Sequence, residues 1–172
     1  MSIILTFCLF SISVLFFLDG WKSLGEPHIE FLFSKKQMSF DDAESFCTSQ
    51  GGKMYEPRDK TIWEDVFDHA KKEDIGKFWL GIHDKNEEGT YVYASDKWPI
   101  EFDNFEKGEP NNGGSCKCED CVHVIYQQKA EGFWNDLPCN SHQLSVVCVR
   151  VNSGRVPTTP VLTKPFDFAL AV

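Results

Sequence analysis

Six cysteines, Cys47, Cys116, Cys118, Cys121, Cys139 and Cys148, follow an apolar N-terminal run, and this pairing restricts the fold more than any other feature of the chain. Residues 3–18, IILTFCLFSISVLFFL, carry no charge and come directly after Met1 and Ser2. A run of that length fits the core of a secretory signal peptide and is short for a membrane span. Ser23 and Gly25 supply small residues for cleavage before Glu26, with cleavage nearer Trp21 and an uncleaved anchor as the alternatives. Cleavage removes Cys8 and leaves an even set of cysteines in an oxidising compartment. Such a set reads as disulfides rather than catalytic thiols, and counting alone leaves the connectivity open.

A chain of 172 residues has room for one ordinary domain plus end segments, and 15 Phe and 5 Trp are enough to build a core. The expected organisation is a leader over 1–25, a domain over 26–151 and a Pro/Thr-rich flexible tail over 152–172. The net charge of −9 argues against nucleic acid or an anionic membrane surface as partner and is compatible with a cation site.

Hydrophobic periodicity places the elements. IEFLFS (29–34) alternates as a strand. Ser39 is a candidate N-cap with Asp42 three residues on, opening a short helix that Gly51 and Gly52 end; Phe40, Ala43 and Cys47 form its inward face. A second helix fits 59–73, with Ile62, Val66, Phe67 and Ala70 as its apolar stripe. The period then shifts to two, giving strands over 77–82, 91–95, 122–127 and 145–150. Between the second and third of these four runs a loop of about 25 residues without clear period, and loops of that length in compact domains are commonly functional. It contains KGEPNNGGSCKCEDC (107–121), which mixes oxygen donors of the kind hard cations prefer with thiols that suit soft ones.

In order along the chain come Cys47 with GGKM, WLGI (79–82), GEPN (108–111), EDCV (119–122), WND (134–136), Cys139 and Cys148. Over about residues 28–150 this series resembles the C-type lectin-like domain family. The resemblance implies an α+β fold, with two helices, antiparallel sheets and a long calcium-binding loop, stapled by Cys47–Cys148 and Cys121–Cys139. Cys116 and Cys118 have no counterpart in the family pattern and are expected to bridge each other or to pair between chains. The chain also departs from that pattern in a longer stretch at YQQKAEG (126–132), in Phe105 where Trp is usual, and in Val149 where Glu is common.

Calcium takes six to eight oxygens from carboxylates, amide carbonyls, backbone and water. Glu109, Asn111, Glu119, Asn135 and Asp136 carry such oxygens, and the resemblance implies that the same five form the principal calcium and carbohydrate site, with a cis Glu109–Pro110 bond. An auxiliary calcium site would use Asp84, Glu88, Asn112, Glu119 and Asp120; the alternative for Asp84 and Glu88 is an ordinary polar turn. The order Glu109-Pro110-Asn111 implies glycans with equatorial hydroxyl pairs: mannose, N-acetylglucosamine or glucose, with fucose also admitted.

Zinc at C-x-C-x-x-C (116–121) with His123 or His142 is the competing metal reading, weakened by the structural partner expected for Cys121. The histidines show no catalytic spacing, so no enzymatic activity is expected, and the chain has no N-x-[ST] sequon. The expected function is a secreted, extracellular, calcium-dependent lectin that binds mannose-type glycans of glycoproteins or microbial surfaces, in innate-immune recognition or cell adhesion. A homo-oligomer is compatible with this, and stable membrane insertion after cleavage is not expected. The alternative is an acidic extracellular structural module of the same fold that binds mineral or protein without sugar.

Overall fold

The computed structural model of the chain describes residues 20–125 and 132–152. The apolar run, nearly all of the 126–132 stretch and the tail after 152 therefore lie outside the described residues. The elements in chain order are β1 (Trp21–Ser23), β2 (Ile29–Met38), α1 (Phe40–Ser49), β3 (Lys53–Met54), α2 (Lys60–Lys72), β4 (Phe78–His83), β5 (Val92–Tyr93), β6 (Cys121–Ile125), β7 (Phe133–Leu137) and β8 (Leu144–Val151).

Both helices start at polar caps. Ser39 accepts from the Asp42 N–H, and Asp59 accepts from the Thr61 and Ile62 N–H groups. Each helix buries the stripe read from its sequence: Phe40, Ala43 and Cys47 in α1, and Val66, Phe67 and Ala70 with Trp63 in α2. Ile62 is only partly buried, against the same core.

The strands join in one sheet of order β1-β2-β8-β4-β6-β7, with β3 on β8 and β5 on β4. This sheet is mixed. The expected antiparallel pairing holds along most of it, but β4 and β8 run parallel, Phe78 facing Ser145 and Trp79 facing Val146. β1 lies within the segment assigned to the leader, and it pairs with β2 from Trp21↔Leu32 to Ser23↔Glu30. The sheet thus begins upstream of Glu26.

Near the chain ends β2 runs against β8, with Ile29 opposite Val151. Cys47 and Cys148, both fully buried, bridge α1 to β8 and close a loop of sequence separation 101. Chain-entropy scaling gives such a loop about 4–5 kcal/mol.

The 94–120 segment leaves β5 and returns to β6 with little regular structure, yet it is firmly packed. Phe102 and Phe105 meet the fully buried Trp134 edge-on, at centroid distances of 5.4 and 5.7 Å. The Trp134 N–H donates to Asn104 O at 2.9 Å, and the Glu106 N–H donates to Trp134 O at 3.0 Å. β7 is thus an edge strand whose free side is covered by the loop at Trp134, whose backbone groups are satisfied there. Asn135 and Asp136 lie on this strand.

Candidate functional site

The loop meets β7 through one carboxylate. Asp136, fully buried, accepts from the Asn111 N–H at 3.2 Å through Oδ1 and from the Asn112 N–H at 2.8 Å through Oδ2. The Tyr91 hydroxyl donates to the same Oδ2 at 3.4 Å. A buried charge persists only when it is paired or hydrogen-bonded, so these contacts satisfy Asp136 and fix the loop backbone together. The Glu109–Pro110 peptide is cis. The Asn111 amide donates to Glu109 Oε2 at 2.6 Å, which places the side chains flanking the proline side by side.

Glu119 enters from the far end of the loop. Its N–H donates to Asn112 Oδ1 at 3.1 Å, and its Oε2 accepts from the Gly113 N–H. A Cβ at position 113 would stand 2.5 Å from Asn111 Oδ1 and 2.9 Å from Glu119 Oε2. The two oxygens therefore converge over Gly113, in space that only glycine leaves open.

Asn135 Oδ1 is buried and has no hydrogen-bond partner among the described residues. Burial, followed by the charge of Asp136, raises the Glu109 carboxyl above its ordinary range. The donor set is thus oxygen-only and acidic, with an orphaned buried carbonyl and a glycine-lined cradle. That is what a hard cation such as calcium requires.

The auxiliary set is wired to the same loop. Asp84 is buried; its Oδ2 accepts from the Gly89 N–H at 2.8 Å, and its Oδ1 is buried without a partner among the described residues. The Asp84 N–H donates to Asp120 O at 3.1 Å, and Glu88 accepts from the Asn112 amide. Asn112 therefore links the two sets: its amide N–H is on Glu88 and its carbonyl is on Glu119. Burial is the largest cause raising both Asp84 and Glu88, with neighbouring carboxylates adding to it; Lys117 opposes the rise at Glu88.

Among the described residues no three Asp, Glu, His or Cys side chains form a closed metal cage by themselves. The asparagine carbonyls would have to complete either shell, and the Asn111–Glu109 and Asn112–Glu88 contacts would have to turn toward the ion.

The thiols are spent. Cys121 bridges Cys139, and Cys116 bridges Cys118, so the zinc reading of 116–121 fails for lack of free sulfur. His83 and His123 are buried, and burial lowers each to about 4, so both are neutral packing residues near neutrality.

The model of the "Lectin C-type domain" matches residues 36–150. The chain belongs to the C-type lectin domain family. Its members generally bind carbohydrate, are typically calcium-dependent and are not enzymes.

The chain is 28% identical over 132 residues to a perlucin-like protein of Mytilus galloprovincialis, covering 75% of this chain and 80% of that one. Other relatives are longer, and this C-type lectin domain chain spans only 28% to 54% of seven of them. Among solved structures, the carbohydrate-recognition domain of the mouse scavenger receptor C-type lectin superposes with a TM-score of 0.66 at 25% identity, covering 80% of this chain and 98% of that one. A calcium-independent type II antifreeze protein shares the fold, with a TM-score of 0.60 at 20% identity, covering 77% of this chain and 92% of that one. The fold by itself therefore fixes neither metal nor sugar.

Two site features had no separate signal in the sequence. Gly113 is one of a Gly-Gly pair, and only the approach of Asn111 and Glu119 singles it out. Tyr91 reads as a strand aromatic, and its hydroxyl contact with Asp136 depends on the fold.

Proposed function

We propose that the chain is a secreted, calcium-dependent lectin that recognises mannose-type glycans: mannose, N-acetylglucosamine, glucose and fucose. The reading rests on one observation: the convergence of Glu109, Asn111, Glu119 and Asp136 through a single hydrogen-bond network around the Gly113 cradle. Asn135, next to Asp136 on β7, supplies the fifth oxygen. These five residues would hold calcium, a hard cation that would offer coordination for a pair of vicinal sugar hydroxyls in place of water.

The remaining roles follow from the donor and acceptor character of each side chain. Glu109 and Glu119 accept hydrogen bonds from the sugar hydroxyls, while the amides of Asn111 and Asn135 donate to the hydroxyl oxygens. Glu109 ahead of Asn111 sets the order of acceptor and donor along the loop, and equatorial hydroxyl pairs suit that order. A second calcium at Asp84, Glu88, Asn112, Glu119 and Asp120 would stiffen the same loop. Because β1 pairs with β2, leader cleavage ahead of Trp21 suits the folded domain better than cleavage before Glu26. Glycans on glycoproteins or microbial surfaces are the expected partners, in innate-immune recognition or adhesion. Single-sugar affinity should be about millimolar, roughly 4 kcal/mol, so recognition gains from several sites in one particle.

The test is retention on mannose-agarose in calcium and release by a chelator. Retention that persists in chelator, or passage through the column in saturating calcium, removes the reading. Binding to mineral or protein without sugar is then the surviving alternative.

A further inference from the structure

The three disulfides differ sharply in setting. Cys47, Cys148, Cys121 and Cys139 are all buried, whereas Cys116 is exposed and Cys118 partly so. Cys116–Cys118 encloses a single residue, Lys117, which adopts a left-handed φ of 51°. A loop this small gains least from cross-linking, because the entropy removed from the unfolded chain grows with loop length. Its place is also unusual. It spans the excursion between Gly113 and Glu119, whose ends are tied by the Gly113 N–H to the Glu119 carboxylate and by the Glu119 N–H to Asn112 Oδ1.

We propose that Cys116–Cys118 is a thiol-exchange site whose opening releases Glu119 from its position in the loop. A small thiol such as glutathione is the co-reactant. Its thiolate sulfur attacks the exposed Cys116 Sγ, a new S–S bond forms, the Cys116–Cys118 bond breaks, and the electron pair leaves on Cys118 Sγ, which takes a proton from water. A second thiolate then attacks the glutathione sulfur of the mixed disulfide, freeing Cys116 as a thiol. Two glutathiones are oxidised to their disulfide as the protein pair is reduced. Access confines the reaction to this pair, because the other four sulfurs are buried. Once it is open, the turn around Lys117 loses the cross-link that closes it, and the two hydrogen bonds that orient Glu119 break more often. The effect on calcium rests on the lectin reading; the exchange and the loosening do not.

The test uses the full oxidised chain in millimolar glutathione, with peptide mass mapping and amide hydrogen exchange in chelator. The expected result is modification of Cys116 and Cys118 alone, with exchange at the Gly113 and Glu119 amides faster by about tenfold. The Cys116→Ser/Cys118→Ser double variant should show the faster exchange without thiol and no response to glutathione. An intact 116–118 pair, prior opening of a buried pair, or unchanged exchange at both amides in the opened form overturns the proposal. Because these readouts need no calcium, a chain that ignores mannose yet responds to glutathione refutes the lectin reading alone. A mannose-binding chain whose loop exchange and calcium affinity ignore opening refutes this inference alone.

Discussion

Gly113→Ala tests the site with the least disturbance elsewhere. The added Cβ would meet Asn111 Oδ1 at 2.5 Å and Glu119 Oε2 at 2.9 Å, against the 3.4 Å at which ordinary contact begins. Both oxygens end side chains that can swing, so the fold gives way easily and the ligands take the displacement. Gly113 is not among the residues with positive φ, so alanine fits its backbone. Replacing glycine at such a position stabilises by about 0.4–1 kcal/mol through the unfolded state, which offsets the local crowding. Calcium–oxygen bonds span only about 2.3–2.6 Å, so shifts of roughly half to one ångström carry these oxygens out of bonding range.

Losing two of six to eight ligands should lower calcium affinity on the order of 100-fold, about 2.7 kcal/mol. Isothermal titration with calcium reads this, and thermal unfolding in chelator reads the fold. The melting temperature should stay within a few degrees of the parent. If calcium affinity stays within about threefold while the melting temperature is unchanged, Asn111 and Glu119 do not share a metal ion, and the assigned shell is wrong.

The combined exchange Glu109→Gln with Asn111→Asp keeps the ligand oxygens and net charge, so calcium affinity should survive while mannose binding falls and weak galactose binding appears; solid-phase binding with parallel calcium titration checks this. Asn135→Ala or Asp136→Ala should abolish metal and sugar binding together, and Asp136→Ala should also cost about 2–3 kcal/mol in denaturant unfolding, because it strips the acceptor from the backbone N–H groups of Asn111 and Asn112. The carboxyls of Glu109, Asp84 and Glu88 are raised in the metal-free fold, so they hold protons at higher pH than ordinary carboxylates and must release them to bind calcium. Calcium affinity should therefore be full near neutrality and decline as pH falls through that raised range; an affinity unchanged between pH 7 and about pH 4 would contradict the shared-ligand scheme. Removing Cys47–Cys148 by paired alanine substitution should cost about 4–5 kcal/mol in chemical unfolding, the largest loss among the three bridges.

Periodicity located both helices and capping marked the start of the first, because Ser39 acts through a local hydrogen bond that needs no tertiary partner; the Asp59 cap of α2 emerges only from the structure. The long central strands were legible for the same reason, through alternation or a continuous apolar run. β7 was not, because FWNDL places two poor strand formers at its centre; the loop and β6 hold it in the sheet, overriding propensity. β1 was hidden by its position within the presumed leader, and β3, at two residues, is too short for any pattern, whereas the strand expected over 91–95 forms only at its centre, as β5. The parallel β4–β8 pairing is a property of topology, and local sequence carries no mark of it. Of the site, the residue types and their order could be read directly. What could not be read is their wiring: Asp136 as acceptor for two loop amides, and Gly113 as the space between two ligands.

That wiring explains how a long segment without regular structure can hold the proposed ligand side chains in place. In a sheet, backbone N–H groups are fixed by a neighbouring strand; in this loop, Asp136 does the same for Asn111 and Asn112 from a position fixed by β7. The strand is itself held independently of any charge, by the Cys121–Cys139 bridge and by the packing of Trp134 against Trp63, Phe102 and Phe105. The aromatic frame and the acidic face are therefore separate layers that meet at β7, Trp134 belonging to one and Asp136 to the other. Because the frame needs nothing from the carboxylates of Glu109, Glu119, Asp84 and Glu88, those groups can remain close together without unfolding the domain. On the proposed reading, a divalent cation that relieves their repulsion would add order to a loop already anchored at one end, and the same domain would bind and release it reversibly.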